Sequence, residues 1–266
     1  MPELPEVEAV CRAVRRAATG RRIVALHASP RLCAPQTPGA IARAVCGKRL
    51  RSVERRGKNI LLHLDGISLW MHLRMTGHLF PAGPGLESGG YAARVLLDNG
   101  RCLLLEDPRR LAVMRAAPPQ KLSAMLGPLG VDPLSLSFTP ERLEGLGRAS
   151  RAAVKNFLMN QRRVAGLGNI YSAEALFRAG INPRTITARL GRRRWGRLHA
   201  SITSVLAEAL ESGRRAYRRP GGLAVGETFR CAVYGREGLP CFGCRRRIRR
   251  IAQSGRSSYF CPGCQR

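Results

Sequence analysis

Acidic residues are scarce in this chain, lysine is scarcer still, and long apolar runs are missing. Only 17 of the 266 residues are Asp or Glu, against 46 Lys and Arg, which leaves a formal charge of +29. An excess of that size goes far beyond what solubility requires. It points to a polyanionic partner, because release of counterions from a phosphate backbone rewards many cationic contacts. No apolar stretch approaches the roughly 20 residues that cross a bilayer, and no basic amphipathic anchor stands out for a membrane surface. The N-terminus shows no basic segment followed by an apolar run, so the expectation is a cytoplasmic, nucleoid-associated protein without a secretory signal. A hydrophobic share of 44% excludes a disordered basic tail. Neither an internal repeat nor a low-complexity tract is present.

Only four of the 46 cations are lysine: Lys48, Lys58, Lys121 and Lys155. Arginine holds phosphate as well as lysine does but cannot shed its proton at working pH. A position that keeps lysine against the general bias is therefore a candidate for amine chemistry. The few acids are also unevenly placed: Glu3, Glu6 and Glu8 crowd the opening "MPELPEVE" beside two prolines.

Residues 6–18 have the spacing of an amphipathic helix, with Val7, Val10, Cys11 and Val14 on one face. Pro5 suits its first turn, and Gly20 follows its end. Strand-like runs follow. Two hairpin signals, Asp65-Gly66 and Asn99-Gly100, lie among them. The expectation is an α+β protein in which an N-terminal helix packs on an antiparallel β-sandwich. A proline-rich stretch between Ala116 and Thr139 then reads as a boundary. Beyond it the pattern turns helical, over 140–147, 151–162, 169–179 and about 195–215. The division expected is 1–131, 132–230 and 231–266.

The last part carries "CFGC" and "CPGC", which place Cys241, Cys244, Cys261 and Cys264 as two knuckles on one hairpin. Four thiolates suit one closed tetrahedral Zn2+ site that supports folding rather than reaction. A rubredoxin-like iron site and a disulfide pair are the alternatives, the latter weakened because nothing indicates export. Cys11, Cys33, Cys46, Cys102 and Cys231 read as small buried residues. The run "RRRIRR" between the knuckles suggests a basic finger along nucleic acid, or a solvated charged face.

Three motifs, "PELPEVE", "VAGLGNIYSAEAL" and "QSGRSSYFCPGCQR", together resemble the formamidopyrimidine-DNA glycosylase family over residues 2–266. The resemblance implies base-excision repair of oxidised purines in damaged double-stranded DNA, a helix–two-turn–helix domain, a zinc finger and a monomer. It also implies removal of Met1, so that the secondary amine of Pro2 becomes the nucleophile. An α-amino group titrates near about 8, which leaves a neutral, reactive fraction at neutral pH. By the same resemblance Glu3 is the general acid, and Glu6 is a second carboxylate beside the amine. Lys58 lies near the lesion phosphates, and Arg256 contacts the same phosphate and assists δ-elimination. His72 and Asn169 would contact phosphate, and Lys155 the damaged base or its phosphate. Met75, Arg109 and Leu111 would fill the gap left by the flipped base, with Arg109 pairing to the orphaned cytosine. Glu8 has only a structural reading.

Without the resemblance, Lys58 would be a surface lysine, His72 a polar strand residue and "GLGNIY" an ordinary interhelical turn. Two positions depart from the family. Leu111 stands where an aromatic is usual, and Gly90 where a phosphate-contacting histidine is expected. The glycine-rich loop 217–230 is expected to cover the flipped base. An endonuclease VIII-like enzyme for oxidised pyrimidines and a non-catalytic zinc-finger DNA-binding protein are the competing readings.

Overall fold

The computed structural model describes residues 2–84, 90–216 and 229–266, with side chains of 214–216 left aside. Met1 and nearly all of the 217–230 loop lie outside the described residues. Two compact units divide the chain, one running to Pro128 and the other starting at Leu129.

In the first unit α1 runs from Leu4 to Ala18, starting earlier than the apolar spacing predicts because Glu3 and Glu6 cap it. Val7, Val10, Cys11 and Val14 are fully buried, as their spacing requires. Strand β1 (Ile23–Ala28) follows, then two short helices, α2 (Pro30–Cys33) and α3 (Pro38–Val45). The remaining strands are β2 (Leu50–Arg56), β3 (Asn59–Leu64), β4 (Ile67–His72), β5 (His78–Ala82), β6 (Ala93–Leu97), β7 (Cys102–Glu106) and β8 (Val113–Ala117). They form two four-stranded antiparallel sheets, ordered β2-β3-β4-β8 and β1-β6-β7-β5. Asp65-Gly66 turns β3 into β4, and Asn99-Gly100 turns β6 into β7, with both glycines at positive φ (73° and 75°).

One apolar core joins the inner faces of both sheets to α1: Leu62, Leu69 and Met114 meet Leu26, Val95 and Leu103 beside Val10 and Val14. This is the expected β-sandwich. Cys11 belongs to that core. Burial, and next the nearby Glu8 carboxylate, push its thiol up to about 12, so it is an inert packing group. The proline-rich stretch is less of a linker than expected, since it contains α4 (Pro119–Leu126) with Leu122 buried.

The second unit contains α5 (Pro140–Arg148), α6 (Val154–Met159), α7 (Asn169–Arg178), a 3-10 turn (Thr187–Arg189) and α8 (Arg192–Ala216) as far as Gly213. Thr139 caps α5, its hydroxyl accepting Arg142 N–H at 3.2 Å. Fully buried Trp195 meets Phe157 edge-on at 5.8 Å. It leaves no room for a side chain at residue 147, where a Cβ would come within 2.2 Å of the indole ring. Helix α6 is much shorter than the predicted 151–162. At its end Asn160 Oδ1 accepts Arg162 N–H at 3.0 Å and turns the chain into the interhelical loop. A hairpin of β9 (Arg249–Gln253) and β10 (Arg256–Phe260) completes the unit. Among the described residues, no helix is long and apolar enough to cross a membrane.

Candidate active site

The residues singled out from sequence fall into two sets, one in each unit. In the first unit Pro2 is half-buried and directly precedes Glu3, the N-cap of α1. Glu3 is almost fully buried. Its backbone N–H donates to Glu6 Oε2 at 2.7 Å, one half of a capping box. Glu6 therefore has a structural task, and its charge also suits the positive end of the helix. Glu8 is structural too, bridging Arg12 at 2.8 Å and Arg55 at 3.0 Å. The Arg55 bridge ties the second turn of α1 to the end of β2, just ahead of Lys58.

Lys58 occupies the tight turn between β2 and β3 and is buried despite its charge. The next residue, Asn59, pairs with His72 across β3 and β4. His72 is held well below the usual histidine range, at about 4, first by burial and then by the charges of Arg74 and Lys58. Arg74 N–H donates to His72 Nδ1 at 2.9 Å, so the neutral ring carries its proton on Nε2. His72 is thus a fixed neutral donor, suited to a phosphate oxygen without adding a charge beside Lys58.

Met75 is 44% exposed in the turn after β4. Arg109 is exposed and Leu111 half-buried in the turn between β7 and β8. Asp107 ties these two turns together. Its Oδ1 accepts the Thr76 hydroxyl at 2.6 Å, and its Oδ2 accepts Ala112 N–H at 2.6 Å. The three wedge candidates are thereby brought onto two loops sharing one buried carboxylate. Sequence reading missed Asp107, although the scarcity of acids marked it. Gly90 is exposed and has open space where a Cβ would lie.

In the second unit Asn169 is the first residue of α7, preceded by Gly168 in extended backbone. The loop ahead of it is held by Gln161, which sequence reading also missed. Gln161 Nε2 donates to Leu167 O at 2.7 Å, and its Oε1 accepts Gly166 N–H at 2.8 Å. Gly166 adopts φ 93°, which favours glycine. Asn169 Nδ2 donates to Ser257 O at 3.0 Å. Lys155 is 1% exposed, its ammonium turned onto Ser257 O (3.0 Å) and Ser258 Oγ (2.7 Å). Arg256, beside them on β10, is exposed. Glu174, fully within α7, accepts the N–H groups of Ala232, Val233 and Tyr234 at 2.7–3.0 Å and so packs the chain leading into the finger.

The sulfur atoms of Cys241, Cys244, Cys261 and Cys264 all lie within 4.8 Å of one another. Tetrahedral thiolates about 2.3 Å from zinc are separated by about 3.8 Å, so these four side chains fit one zinc ion. Cys244 and Cys261 approach to 3.3 Å and Cys241 and Cys264 to 3.8 Å, both far beyond a disulfide bond. Cys241 and Cys261 are buried with Ala173, Val233 and Ile248. Gly263 must be glycine, because a Cβ there would come within 2.9 Å of Cys244 Sγ. In the basic run, Arg247 donates to Gly238 O at 3.0 Å and Arg250 bridges Glu237 at 2.9 Å. Arg245, Arg246 and Arg249 are exposed, so the run serves both the finger's own fold and its basic face.

A capped helix on a β-sandwich, a helix pair around a glycine loop and a four-cysteine hairpin define the class of helix–two-turn–helix proteins with a zinc finger. Family models match in the same order: the formamidopyrimidine-DNA glycosylase N-terminal domain over residues 1–114, its H2TH domain over 129–219, and the zinc finger found in FPG and IleRS over 238–266. The formamidopyrimidine-DNA glycosylase of Thioalkalivibrio sulfidiphilus is 40% identical over 272 residues, covering the whole of both chains. The MutM (Fpg) crystal structure from Thermus thermophilus superposes with a TM-score of 0.84 at 36% identity, covering 99% of this chain and 98% of that one. A Lactococcus lactis FPG variant in complex with a Fapy-dG containing DNA superposes at 0.88 with 29% identity, covering both chains fully. The chain belongs to the formamidopyrimidine-DNA glycosylase family. One structural zinc ion, held by the four cysteines, is part of it.

Proposed function

We propose that this protein is a bifunctional DNA glycosylase and AP lyase of base-excision repair. It excises 8-oxoguanine and formamidopyrimidines from damaged double-stranded DNA and then cleaves the strand. The observation that carries this reading is the capping of α1, which holds Pro2 at the helix end directly beside the buried Glu3. With Met1 removed, the Pro2 nitrogen attacks C1′ of the damaged nucleoside. The glycosidic bond breaks and the base leaves with its electron pair, while Glu3 supplies the proton that assists opening of the sugar ring. The resulting iminium is an electron sink. Loss of a C2′ proton expels the 3′-phosphate, and loss of a C4′ proton then expels the 5′-phosphate.

Glu6 holds the Glu3 backbone, and Lys58 with neutral His72 receives lesion phosphates. Asn169 at the α7 N-terminus and Arg256 on the hairpin bind phosphate as well, supported by the helix dipole. Met75, Arg109 and Leu111 enter the gap left by the flipped base, with Arg109 reading cytosine. Lys155 belongs to the site through the hairpin that carries Arg256. We further propose functional regions at 1–131, 132–230 and 231–266, a monomer in solution, and a cytoplasmic, nucleoid-associated location.

The test compares base release and strand cleavage on duplexes carrying 8-oxoguanine opposite cytosine or thymine glycol opposite adenine. Faster release of 8-oxoguanine with β,δ-cleavage is expected. Preference for thymine glycol would move the chain to pyrimidine lesions, and binding without cleavage would leave only a DNA-binding protein.

A further inference from the structure

We propose that Ser258 and Lys155 are positioning residues that aim Arg256, acting through the finger hairpin rather than by touching DNA. The inference rests on the role of Arg256 given above.

The hairpin is narrow and its register matters. Arg256 pairs with Gln253, Ser257 with Ala252 and Ser258 with Ile251. The connecting residues Ser254 and Gly255 both have positive φ (46° and 72°), the twist of a tight two-residue turn. Side chains alternate along a strand, so Arg256 and Ser258 share a face, and a slip by one residue would send Arg256 to the other side. Arg256 is exposed on that face, whereas Ser258 is 1% exposed. The strand is therefore anchored two residues from its working end, roughly 7 Å away.

Lys155 forms the anchor. Its ammonium donates to Ser258 Oγ at 2.7 Å and to Ser257 O at 3.0 Å. Asn169, from the next helix, donates to the same carbonyl at 3.0 Å. Two further ties hold the hairpin: Asn156 Nδ2 to Ser254 Oγ at 2.9 Å, and Gln253 Nε2 to Pro183 O at 3.2 Å. A compact ammonium serves two oxygens on adjacent residues from a single atom, in less space than a planar guanidinium fills. That accounts for lysine at this position in a chain with only four. Burial removes the ammonium from the reach of a phosphate. Any misplacement of the hairpin would fall on Arg256 and on the step that needs its charge in register.

Full-length Ser258→Ala, given an abasic-site duplex, tests this. The expected result is a fall of about tenfold in the ratio of δ- to β-product, below the roughly hundredfold that a full ångström of misplacement can cost. Zinc content and the yield of borohydride-trapped adduct should stay within about twofold, and Ser258→Thr, which keeps the hydroxyl, should restore the ratio. A merely structural role would lower adduct and both products together, and an unchanged ratio would equally overturn the proposal. Lys155→Met supplies an independent reading. Combined with Arg256→Ala it should lower the δ- to β-product ratio no further than Arg256→Ala alone, whereas an additional fall would show that Lys155 acts on DNA directly and refute indirect action. A wild-type chain that cleaves no abasic strand would overturn the role of Arg256 itself, and the positioning with it.

Discussion

The N-terminal end of α1 and the zinc hairpin each hold a group proposed to work on DNA near a chain end, and they hold it by opposite means. At α1 the group is a backbone nitrogen, and neighbouring carboxylates hold the frame: Glu6 caps Glu3 and Glu8 grips Arg55. At the hairpin the group is the Arg256 side chain, and the frame is a four-thiolate metal site with a buried ammonium behind it. The first needs no metal, because α1 already packs on a large core. The second is too short to build one, so the ion and Lys155 take its place. A rare residue type marks the frame in both. Acids do so in the first unit, and lysine and cysteine in the second.

Removing the zinc should separate the two regions most sharply. Structural zinc contributes apparent free energies on the order of 10–16 kcal/mol to small finger domains. Chelation or Cys261→Ser is expected to unfold the hairpin and to lower duplex cleavage by about a hundredfold or more. Circular dichroism of the β-sandwich should persist. Joint loss of both signals would show that the sandwich also depends on the metal.

Asp107→Ala should have the next largest effect, within the first unit alone. It leaves the Ala112 N–H and the Thr76 hydroxyl without their carboxylate, a cost of about 2–4 kcal/mol. Thermal unfolding should shift accordingly. Excision of 8-oxoguanine should fall more than cleavage of an abasic site, which has no base to displace; equal losses would dissociate Asp107 from the wedge.

His72 gives a pH test. Its folded-state value of about 4 lies below the ordinary 6.5, so the unfolded chain binds more protons between those limits. The stabilisation is present above pH 6.5 and is lost as pH falls toward 4, by at most about 3 kcal/mol. NMR titration of the ring should find a midpoint near 4 in the free protein; a midpoint near 6.5 would contradict the neutral donor.

Leu111→Phe and Gly90→His should produce the smallest changes. The first restores an aromatic able to stack in the gap, and the second adds a phosphate contact where open space permits a side chain. Each is expected to tighten binding of damaged duplex by about threefold, within the energy of one stacked ring or one polar contact. No change from either would mean that the surrounding arginines already meet both needs.

The sandwich was legible because its signals are local. Val7, Val10, Cys11 and Val14 repeat at helical spacing, and two glycine turns fix the hairpins. The zinc site was equally legible, since CxxC spacing is a constraint on ligand reach. What stayed hidden depends on contacts distant in sequence. Asp107 joins two loops 31 residues apart in one of its bonds. Ser258 meets a lysine 103 residues away, and nothing in "GRSSYF" separates it from Ser257. The brevity of α6 was also unreadable, because Asn160 and Gln161 end the helix through their own side chains. Lys155 was picked out by its rarity, but its burial on the hairpin required the fold.

The central claim is that the Pro2 amine performs the chemistry. It is tested most directly by incubating the protein with an 8-oxoguanine:cytosine duplex and borohydride, then sequencing the N-terminus of the trapped species. The account predicts one covalent adduct at Pro2 with Met1 absent. An adduct on Lys58 or Lys155 instead, or none on either this duplex or an abasic one from protein that lacks Met1 and binds both, would contradict it.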